Sequence, residues 1–171
     1  MPTAYLGLGS NLGDIFMNIA SALSRLRGLP HSKLWKESQL YRTEPVDMPD
    51  TEWFVNMVVS LRTELEAAVL LKQLQRIEDD LGRMRPDKGL PRVIDIDILM
   101  YGNRIIDGPD LTVPHPKMHK RRFVLEPMRD IAPEVLHPKL GMNIMQLLDQ
   151  VEDEGEVLLV YDSIEEAMRN R

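Results

Sequence analysis

The sequence lacks several features that would assign it to particular classes of protein. It has no cysteine among its 171 residues, which excludes a disulfide framework and thiolate chemistry. No apolar run approaches the roughly 18–20 residues of a membrane-spanning helix, and the N-terminus has no signal-peptide pattern. We therefore expect a soluble cytoplasmic protein. The length predicts one domain over residues 1–171, and a monomer is expected as well.

Basic residues are in the minority, with 21 Lys and Arg against 27 Asp and Glu and a net charge of −6. This balance argues against a general nucleic-acid binder, and we expect neither a nucleic acid nor a membrane as partner. Two segments, 83–92 and 115–122, are nevertheless locally basic, which suits a small polyanion better than a long one. Their basic residues are Arg83, Arg85, Lys88 and Arg92 in the first, and Lys117, Lys120, Arg121 and Arg122 in the second.

The common nucleotide-binding motifs are also absent. The phosphate-binding pattern G-x-x-x-x-G-K-S/T does not occur. A predicted strand over residues 3–9 leads through glycines into a predicted helix, but their spacing is G-x-G-x-x-x-G, with bulky Leu12 where close backbone approach is required. We interpret residues 9–13 as a tight turn beside a site, so any nucleotide must be held in another way.

The most informative stretch that is present is a predicted buried strand over residues 92–102. Because strand side chains alternate between faces, Asp95 and Asp97 share one face, about 6.5–7 Å apart along the backbone. Two carboxylates at this spacing can bridge one or two hard cations, of which Mg²⁺ is the best match. The alternative is a pair of aspartates at a solvated strand end. The alternation places Ile94, Ile96, Ile98 and Met100 on one face of the strand, and Val93, Asp95, Asp97 and Leu99 on the other.

Further strands are predicted over residues 33–43 and 52–62. In the second of these, Phe54 and Asn56 share a face, where an aromatic plate beside an amide could hold a flat heterocycle; an Asn satisfied at a strand end is the alternative. The capping-box spacing of residues 63–66 predicts a helix that ends at Gly82. Its predicted buried stripe is Val69, Leu70, Leu74, Ile77 and Leu81, and its predicted surface includes Gln75 and Glu78.

The second half of the chain gives weaker signals. Residues 104–106 predict a short strand, residues 143–151 a helix, residues 157–161 a strand, and Ser163 begins a terminal helix. The H-x-x-x-H spacing of His115 and His119 is a weak zinc pattern, because a proline follows the first histidine.

The chain combines an Asp-x-Asp pair, guanidinium groups on two segments, and an aromatic residue beside an amide. Phosphoryl-type transfer needs this set of functional groups. A metal-dependent nucleotide-sugar transferase is one alternative, although the α/β half that usually precedes its motif is missing. A ferredoxin-like RNA-binding module is another, although aromatic residues make up only 5% of the chain and aspartates occupy the strand.

Several motifs, in this order and spacing, resemble the 6-hydroxymethyl-7,8-dihydropterin pyrophosphokinases of folate biosynthesis. The resemblance covers about residues 3–140. It rests on residues 9–13, 41–43, 54–56, 76–78, 82–83, 91–92, 95–99 and 111–115.

The resemblance implies transfer of pyrophosphate from ATP to the pterin hydroxymethyl oxygen, with AMP released and two Mg²⁺ ions present. It implies metal-binding by Asp95 and Asp97 and catalytic roles for these two with Arg83 and Arg92. The implied ATP-binding residues are Gln75, Glu78, Arg85, Arg92, Ile98, Thr112, His115 and Arg121. The implied pterin-binding residues are Thr43, Pro45, Val46, Phe54, Asn56, Asp95 and Phe123, with the two phenylalanines on either side of the ring.

The resemblance also implies an α+β fold, a ferredoxin-like antiparallel sheet with helices on both sides in αβα layers. The chain departs from the family pattern at four places. Leu90 lies in the region where a tryptophan is frequent, Pro116 where an aromatic is frequent, Phe54 where tyrosine is frequent, and Asp110 where a base can occur. Residues beyond about 145 match poorly and receive no functional assignment.

Overall fold

The computed structural model describes residues 1–45, 52–82 and 93–170. The strands are β1 (Thr3–Ser10), β2 (Ser32–Glu37), β3 (Leu40–Thr43), β4 (Phe54–Thr63), β5 (Asp95–Tyr101), β6 (Ile106–Asp107), β7 (Thr112–Val113) and β8 (Val157–Tyr161). The α-helices are α1 (Ile15–Arg27), α2 (Ala67–Asp80), α3 (Arg122–Ile131), α4 (Ile144–Gln150) and α5 (Ile164–Arg169). A short 3₁₀ turn covers Met118–Lys120.

Six of the strands form one antiparallel sheet. Five of them follow the order β5-β1-β4-β3-β8, and β2 pairs with the C-terminal half of β4. If β2 and β3 count as one interrupted strand, the βαββαβ unit has the strand order fourth, first, third, second. This order is the ferredoxin-like arrangement, which confirms the predicted fold class. Strands β6 and β7 form a separate two-stranded ribbon.

The predicted strand over residues 33–43 is divided in two. Ser38 lies at the break, where its N–H donates to the Val58 carbonyl at 2.9 Å and its hydroxyl accepts the Val58 N–H at 2.9 Å. The hydroxyl therefore takes the place of a backbone carbonyl opposite β4, so the chain shifts register without leaving Val58 unpaired.

Strand β5 contains a bulge at Leu99. Tyr5 pairs with Met100 and Leu6 pairs with Ile98, so Leu99 has no opposite residue in β1. The extra residue reverses the alternation after it. Met100 consequently lies in the core on the other face from Ile98, and the prediction that both share one face is wrong.

Two apolar cores, one on each face of the sheet, confirm the layer of helices on both sides. Helices α1 and α2 pack on one face, where Leu23 and Leu74 are fully buried. Helices α3 and α4 pack on the other face, where Leu125 and Ile144 are fully buried. Alternation in the central strands supplies both cores, as Met57 and Val58 show by entering opposite ones.

The helices differ from their predicted form in three respects. Helix α2 has Glu66 as its N-cap residue, so the expected capping box at Thr63 is not formed, and Val69 is 44% exposed and lies off the buried stripe. Helix α3 is not among the predicted elements, and it contains Pro127, a residue type that usually interrupts helices. No helix in the described residues combines the length and apolar character needed to cross a bilayer.

Strand β5 is attached to α2 by a buried carboxylate. Glu78 is 3% exposed, and its Oε2 accepts the backbone N–H of Ile96 at 2.8 Å. The expectation that Glu78 lies on a solvated helix face is therefore wrong. Because the acceptor belongs to a side chain, the hydrogen bond of the Ile96 N–H depends on this one residue rather than on a strand ladder.

Replacing this carboxylate should weaken the fold. We expect Glu78→Ala to lower the free energy of unfolding by about 2 kcal/mol, since it leaves the Ile96 N–H buried without its acceptor. Glu78→Gln keeps an acceptor oxygen and should cost clearly less. Urea denaturation followed by circular dichroism measures both values, and equal losses in the two variants would contradict the assignment.

Two histidines, one buried and one half-buried, contact each other through their rings. The rings of His119 and His137 meet edge to face with centroids 5.9 Å apart, and His137 Nδ1 accepts the N–H of Lys139 at 3.3 Å and of Leu140 at 3.1 Å. Burial lowers the pKa of both imidazoles, helped by Lys120 beside His119 and by His119 and Lys139 beside His137. The folded protein therefore favours the neutral form of each ring.

This pair should make the fold sensitive to mild acid. As the pH falls below the ordinary histidine value of 6.5, the unfolded chain binds protons that the folded chain resists, so the free energy of unfolding should fall. His119→Phe keeps the ring contact without the titration and should flatten the slope between pH 7 and pH 5. Urea denaturation at several pH values measures the slope, and an unchanged slope in folded His119→Phe would contradict the assignment.

Candidate active site

The floor of the main cleft is a stretch of strand β1 without side chains. Gly7 and Gly9 point to the same face, between Asp97 and Asp95 of β5 on one side and Val58 and Asn56 of β4 on the other. Adjacent strands lie about 4.8 Å apart, so each glycine separates two functional rows by roughly twice that distance. The missing side chains leave an open trough across the centre of the sheet.

One side of the trough carries the predicted carboxylate pair. Asp95 and Asp97 are both half-buried and line the same cleft, as their alternation in β5 predicts. Among the described residues, no group of three or more His, Cys, Asp or Glu side chains is placed to hold a metal ion. The donor set is thus two carboxylates, which fits Mg²⁺, an ion usually completed by water and phosphate oxygens, better than a fully protein-bound metal.

The other side carries the predicted amide. Asn56 Nδ2 donates to Thr43 Oγ1 at 2.6 Å, which fixes the orientation of the amide. A Cβ built on Gly9 would lie 2.5 Å from Asn56 Oδ1, well inside contact distance. The glycine is therefore needed for the space that the amide occupies, as well as for the open floor.

Two aromatic residues line the same cleft as the amide. Phe54 comes from the first residue of β4, and Phe123 comes from the first turn of α3; both line the cleft. The Arg121 guanidinium lies over the Phe123 ring, 5.4 Å from its centroid. We call the part of the cleft lined by Phe54 and Phe123 the aromatic slot; it offers two apolar ring surfaces with the Arg121 charge beside one of them.

His115 lines the cleft and is held at the bulge of β5. Its backbone N–H donates to the Leu99 carbonyl at 2.8 Å, and its Nδ1 accepts the Lys117 N–H at 3.1 Å. Burial lowers the pKa of His115, and Arg121 and Lys117 lower it further against the opposing effect of Asp95. A neutral ring with Nδ1 as acceptor carries its proton on Nε2, so His115 presents a hydrogen-bond donor.

The structure brings nine of the predicted site residues into this one cleft. They are Thr43, Pro45, Phe54, Asn56, Asp95, Asp97, His115, Arg121 and Phe123. Four others, Val46, Arg83, Arg85 and Arg92, lie outside the described residues. Leu90 of the basic loop lies outside them as well, so its effect on the site stays a prediction.

Four predicted ATP-binding residues are absent from the described lining of the cleft. Glu78 is buried beneath β5, and Ile98 is 4% exposed with its side chain in the core, which leaves its main chain as the part available to a ligand. Gln75 is exposed on α2, and Thr112 is half-buried in β7. Their contact with ATP stays a prediction.

The sequence signals did not identify several residues that shape the cleft. Glu44 lines it beside Thr43, and Leu99 and Val124 complete its apolar surface. Ser10 and Asn11 tie it to neighbouring strands: Ser10 Oγ donates to the Val93 carbonyl at 2.5 Å, and Asn11 Nδ2 donates to the Glu52 carbonyl at 3.1 Å. Gly7 and Gly9 lie in the predicted strand over residues 3–9, and their spacing on one face is the available sequence signal for an open floor between β4 and β5.

The fold and the cleft define a class: an α+β protein with a ferredoxin-like sheet that joins a carboxylate pair to an aromatic slot. Residues 5–133 match the model of the 7,8-dihydro-6-hydroxymethylpterin-pyrophosphokinase (HPPK) family. The chain belongs to this family, whose reaction is pyrophosphoryl transfer onto hydroxymethyldihydropterin in folate biosynthesis.

Individual relatives agree with the family match. The 2-amino-4-hydroxy-6-hydroxymethyldihydropteridine pyrophosphokinase of Haemophilus influenzae is 38% identical over 159 residues, covering 93% of this chain and 99% of that protein. The enzyme of the same name from Pseudomonas aeruginosa is 40% identical, covering 88% of this chain and 93% of that protein. The chain spans only 20% of the folic acid synthesis protein fol1 of Pneumocystis carinii, at 39% identity.

Solved structures show the same fold. A Plasmodium falciparum HPPK-DHPS, crystallised with pteroate, superposes with a TM-score of 0.71 at 16% identity, covering 87% of this chain and 44% of that one. At this identity the likeness concerns the fold alone. The chain thus spans less than half of such two-part proteins, and its C-terminal residues lie beyond the family match.

The close packing of Gly9 against Asn56 gives a direct test of the amide. We expect Gly9→Ala to push the Asn56 side chain out of place and to raise the KM for the pterin at least tenfold, since displacements of about 1 Å can cost a hundredfold. Steady-state kinetics with varied pterin concentrations measure the change.

Gly7→Ala is the matched control. Its Cβ would meet only the Leu99 side chain at 3.5 Å, an ordinary contact, so the KM should change less than threefold. Equal effects of the two substitutions would show that the amide is not the element disturbed.

Proposed function

We propose that this chain transfers the pyrophosphoryl group of ATP to the hydroxymethyl oxygen of 6-hydroxymethyl-7,8-dihydropterin and releases AMP, with Mg²⁺ held at Asp95 and Asp97. The observation that carries the proposal is the trough over Gly7 and Gly9. It sets the carboxylate pair opposite the Asn56 amide on one sheet surface, at about the width of a bicyclic ring.

The pterin is proposed to lie in the aromatic slot. Phe54 and Phe123 provide the two apolar plates, and Asn56, oriented by Thr43, offers an acceptor to the polar edge of the ring. Pro45 and, from outside the described residues, Val46 complete the proposed pocket. This placement directs the hydroxymethyl group toward the aspartates.

The nucleotide phosphates are proposed to lie along the carboxylate side. His115 offers its Nε2 proton, and Arg121 offers a guanidinium that can bind two phosphate oxygens at once. Arg83, Arg85 and Arg92 join them in the proposal, with Arg83 and Arg92 stabilising the charge that develops on the transferred group. Gln75, Glu78, Ile98 and Thr112 are the remaining proposed contacts of ATP.

The reaction then needs positioning and charge compensation more than covalent chemistry by the protein. The hydroxymethyl oxygen attacks the β-phosphorus, the bond from that phosphorus to the α,β-bridging oxygen breaks, and AMP leaves with this oxygen. When bound, Mg²⁺ would neutralise phosphate charge and lower the pKa of the attacking hydroxyl. The use of two ions, a monomeric state and a cytoplasmic location stay predictions from the sequence and the resemblance.

The carboxylate pair is the part of this proposal to test first. We expect Asp97→Ala to lower kcat by at least about a thousandfold, because the loss of a metal ligand removes several kcal/mol of transition-state stabilisation. The measurement is AMP release from ATP and Mg²⁺, with and without hydroxymethyldihydropterin.

Asp107→Ala removes an equal charge at an exposed position of β6 and should keep wild-type turnover. Circular dichroism spectra check that both variants are folded. Normal turnover by folded Asp97→Ala would overturn the metal assignment, whereas wild-type protein without pterin-dependent AMP release would overturn the proposed function itself.

A further inference from the structure

The segment over residues 153–157 contacts two elements that contribute residues to the aromatic slot, the start of α3 and strand β3. It begins beyond the family match, which ends at residue 133, and the sequence signals assign it no function. One end of the segment contacts the start of α3, which carries Phe123. The other end pairs with β3, which leads into Thr43 and Glu44.

The contact with α3 is made by a carboxylate. The helix begins after Arg121, whose side chain has no acceptor and makes no capping hydrogen bond. The N–H of Arg122 donates instead to Oδ2 of Asp153 at 3.1 Å, across a sequence separation of 31 residues. A carboxylate at this position satisfies a helix N-terminal donor and interacts favourably with the helix dipole.

The same carboxylate shapes the turn that leads to the opposite wall. Oδ1 of Asp153 accepts the N–H of Gly155 at 2.8 Å. The next residue, Glu156, accepts the Glu44 N–H on its carbonyl at 3.2 Å, and Val157 then pairs with Thr43. Asp153 is thus hydrogen-bonded directly to the start of α3, and three residues later the chain is hydrogen-bonded to Glu44 beside β3.

Gly155 shows how closely this turn is packed. A Cβ at this position would lie 3.1 Å from Asp153 Oδ1 and 3.9 Å from Glu44 Oε2. The first distance is shorter than an ordinary contact, so an added methyl group would press on the oxygen that closes the turn. A side chain added at Gly155 would therefore displace the Asp153 carboxylate, and a change at Asp153 would alter the turn at Gly155.

We propose that Asp153 is a positioning residue for the pterin slot: it fixes the start of α3, and with it the Phe123 ring, relative to the wall of Thr43 and Glu44. The proposal rests on the proposed function and deepens it, since Asp153 acts on the slot through these contacts and does not line the cleft. A ring sandwich depends on the separation of its two plates. The bridge connects α3, which carries Phe123, to β3, whose Thr43 pairs with Phe54 of β4.

The effect should be selective for the pterin. Phe123 is rigid and adjoins the bond to Asp153, so a shift at the start of α3 moves the ring directly. The Arg121 side chain is long enough to keep its reach toward a phosphate. We expect Asp153→Ala to raise the KM and the calorimetric Kd for the pterin about tenfold, with kcat and the KM for ATP changed less than threefold.

Two further variants separate positioning from a merely structural role. Asp153→Asn keeps one acceptor oxygen and should restore at least half of the lost affinity on a logarithmic scale. Glu154→Ala removes the same charge from the adjacent exposed residue and should match the wild type in every constant. Gly155→Ala should act in the same direction as Asp153→Ala, which provides a test that leaves the carboxylate in place.

Folding is checked by thermal unfolding of each variant. A pterin KM that is unchanged in folded Asp153→Ala, or that rises only together with the KM for ATP, would overturn the proposal. If Asp153→Ala does not fold, the same criterion is applied to the KM values for the pterin and for ATP in folded Gly155→Ala and Asp153→Asn. Wild-type turnover is measured in parallel, so failure of the proposed function is distinguishable from failure of this inference.

Discussion

The cleft depends on one constraint, the absence of side chains at two alternate positions of the central strand. Gly7 and Gly9 occupy the row between β4 and β5. A methyl group at Gly9 would already displace the Asn56 amide, and side chains longer than that of alanine at either position would fill the trough. The opposite face of the same strand carries Leu6 and Leu8 into the core. A single strand thus provides an apolar face that stabilises the fold and a bare face that accepts a ligand.

The remaining parts of the site are attached to this floor by polar contacts to the backbone. The bulge at Leu99 presents the carbonyl that positions His115, and Asp153 accepts the first N–H of α3. Ser10 and Asn11 hold the starts of β5 and β4 at Val93 and Glu52. These hydrogen bonds connect segments that are far apart in sequence. The geometry of the site therefore depends on them as well as on strand pairing within the sheet.

The sheet and its faces were largely predictable because alternation is a local property. The pattern of β4 identified Phe54 and Asn56 as neighbours, and the pattern of β5 identified Asp95 and Asp97, and both pairs line the cleft. The failures have local causes as well. Met100 lies on the opposite face from the predicted one because a bulge adds a residue to β5. Helix α3 has no counterpart among the predicted elements, and it contains Pro127.

The sequence by itself determined which residues share a strand face, where most elements begin and end, and the family to which the ordered motifs belong. It did so because periodicity and motif spacing are properties of neighbouring residues. Only the tertiary structure decided that Glu78 is buried under β5, that Gly9 shares its space with Asn56, and that Asp153 reaches α3. Those facts depend on register and packing between distant segments, which no local pattern encodes.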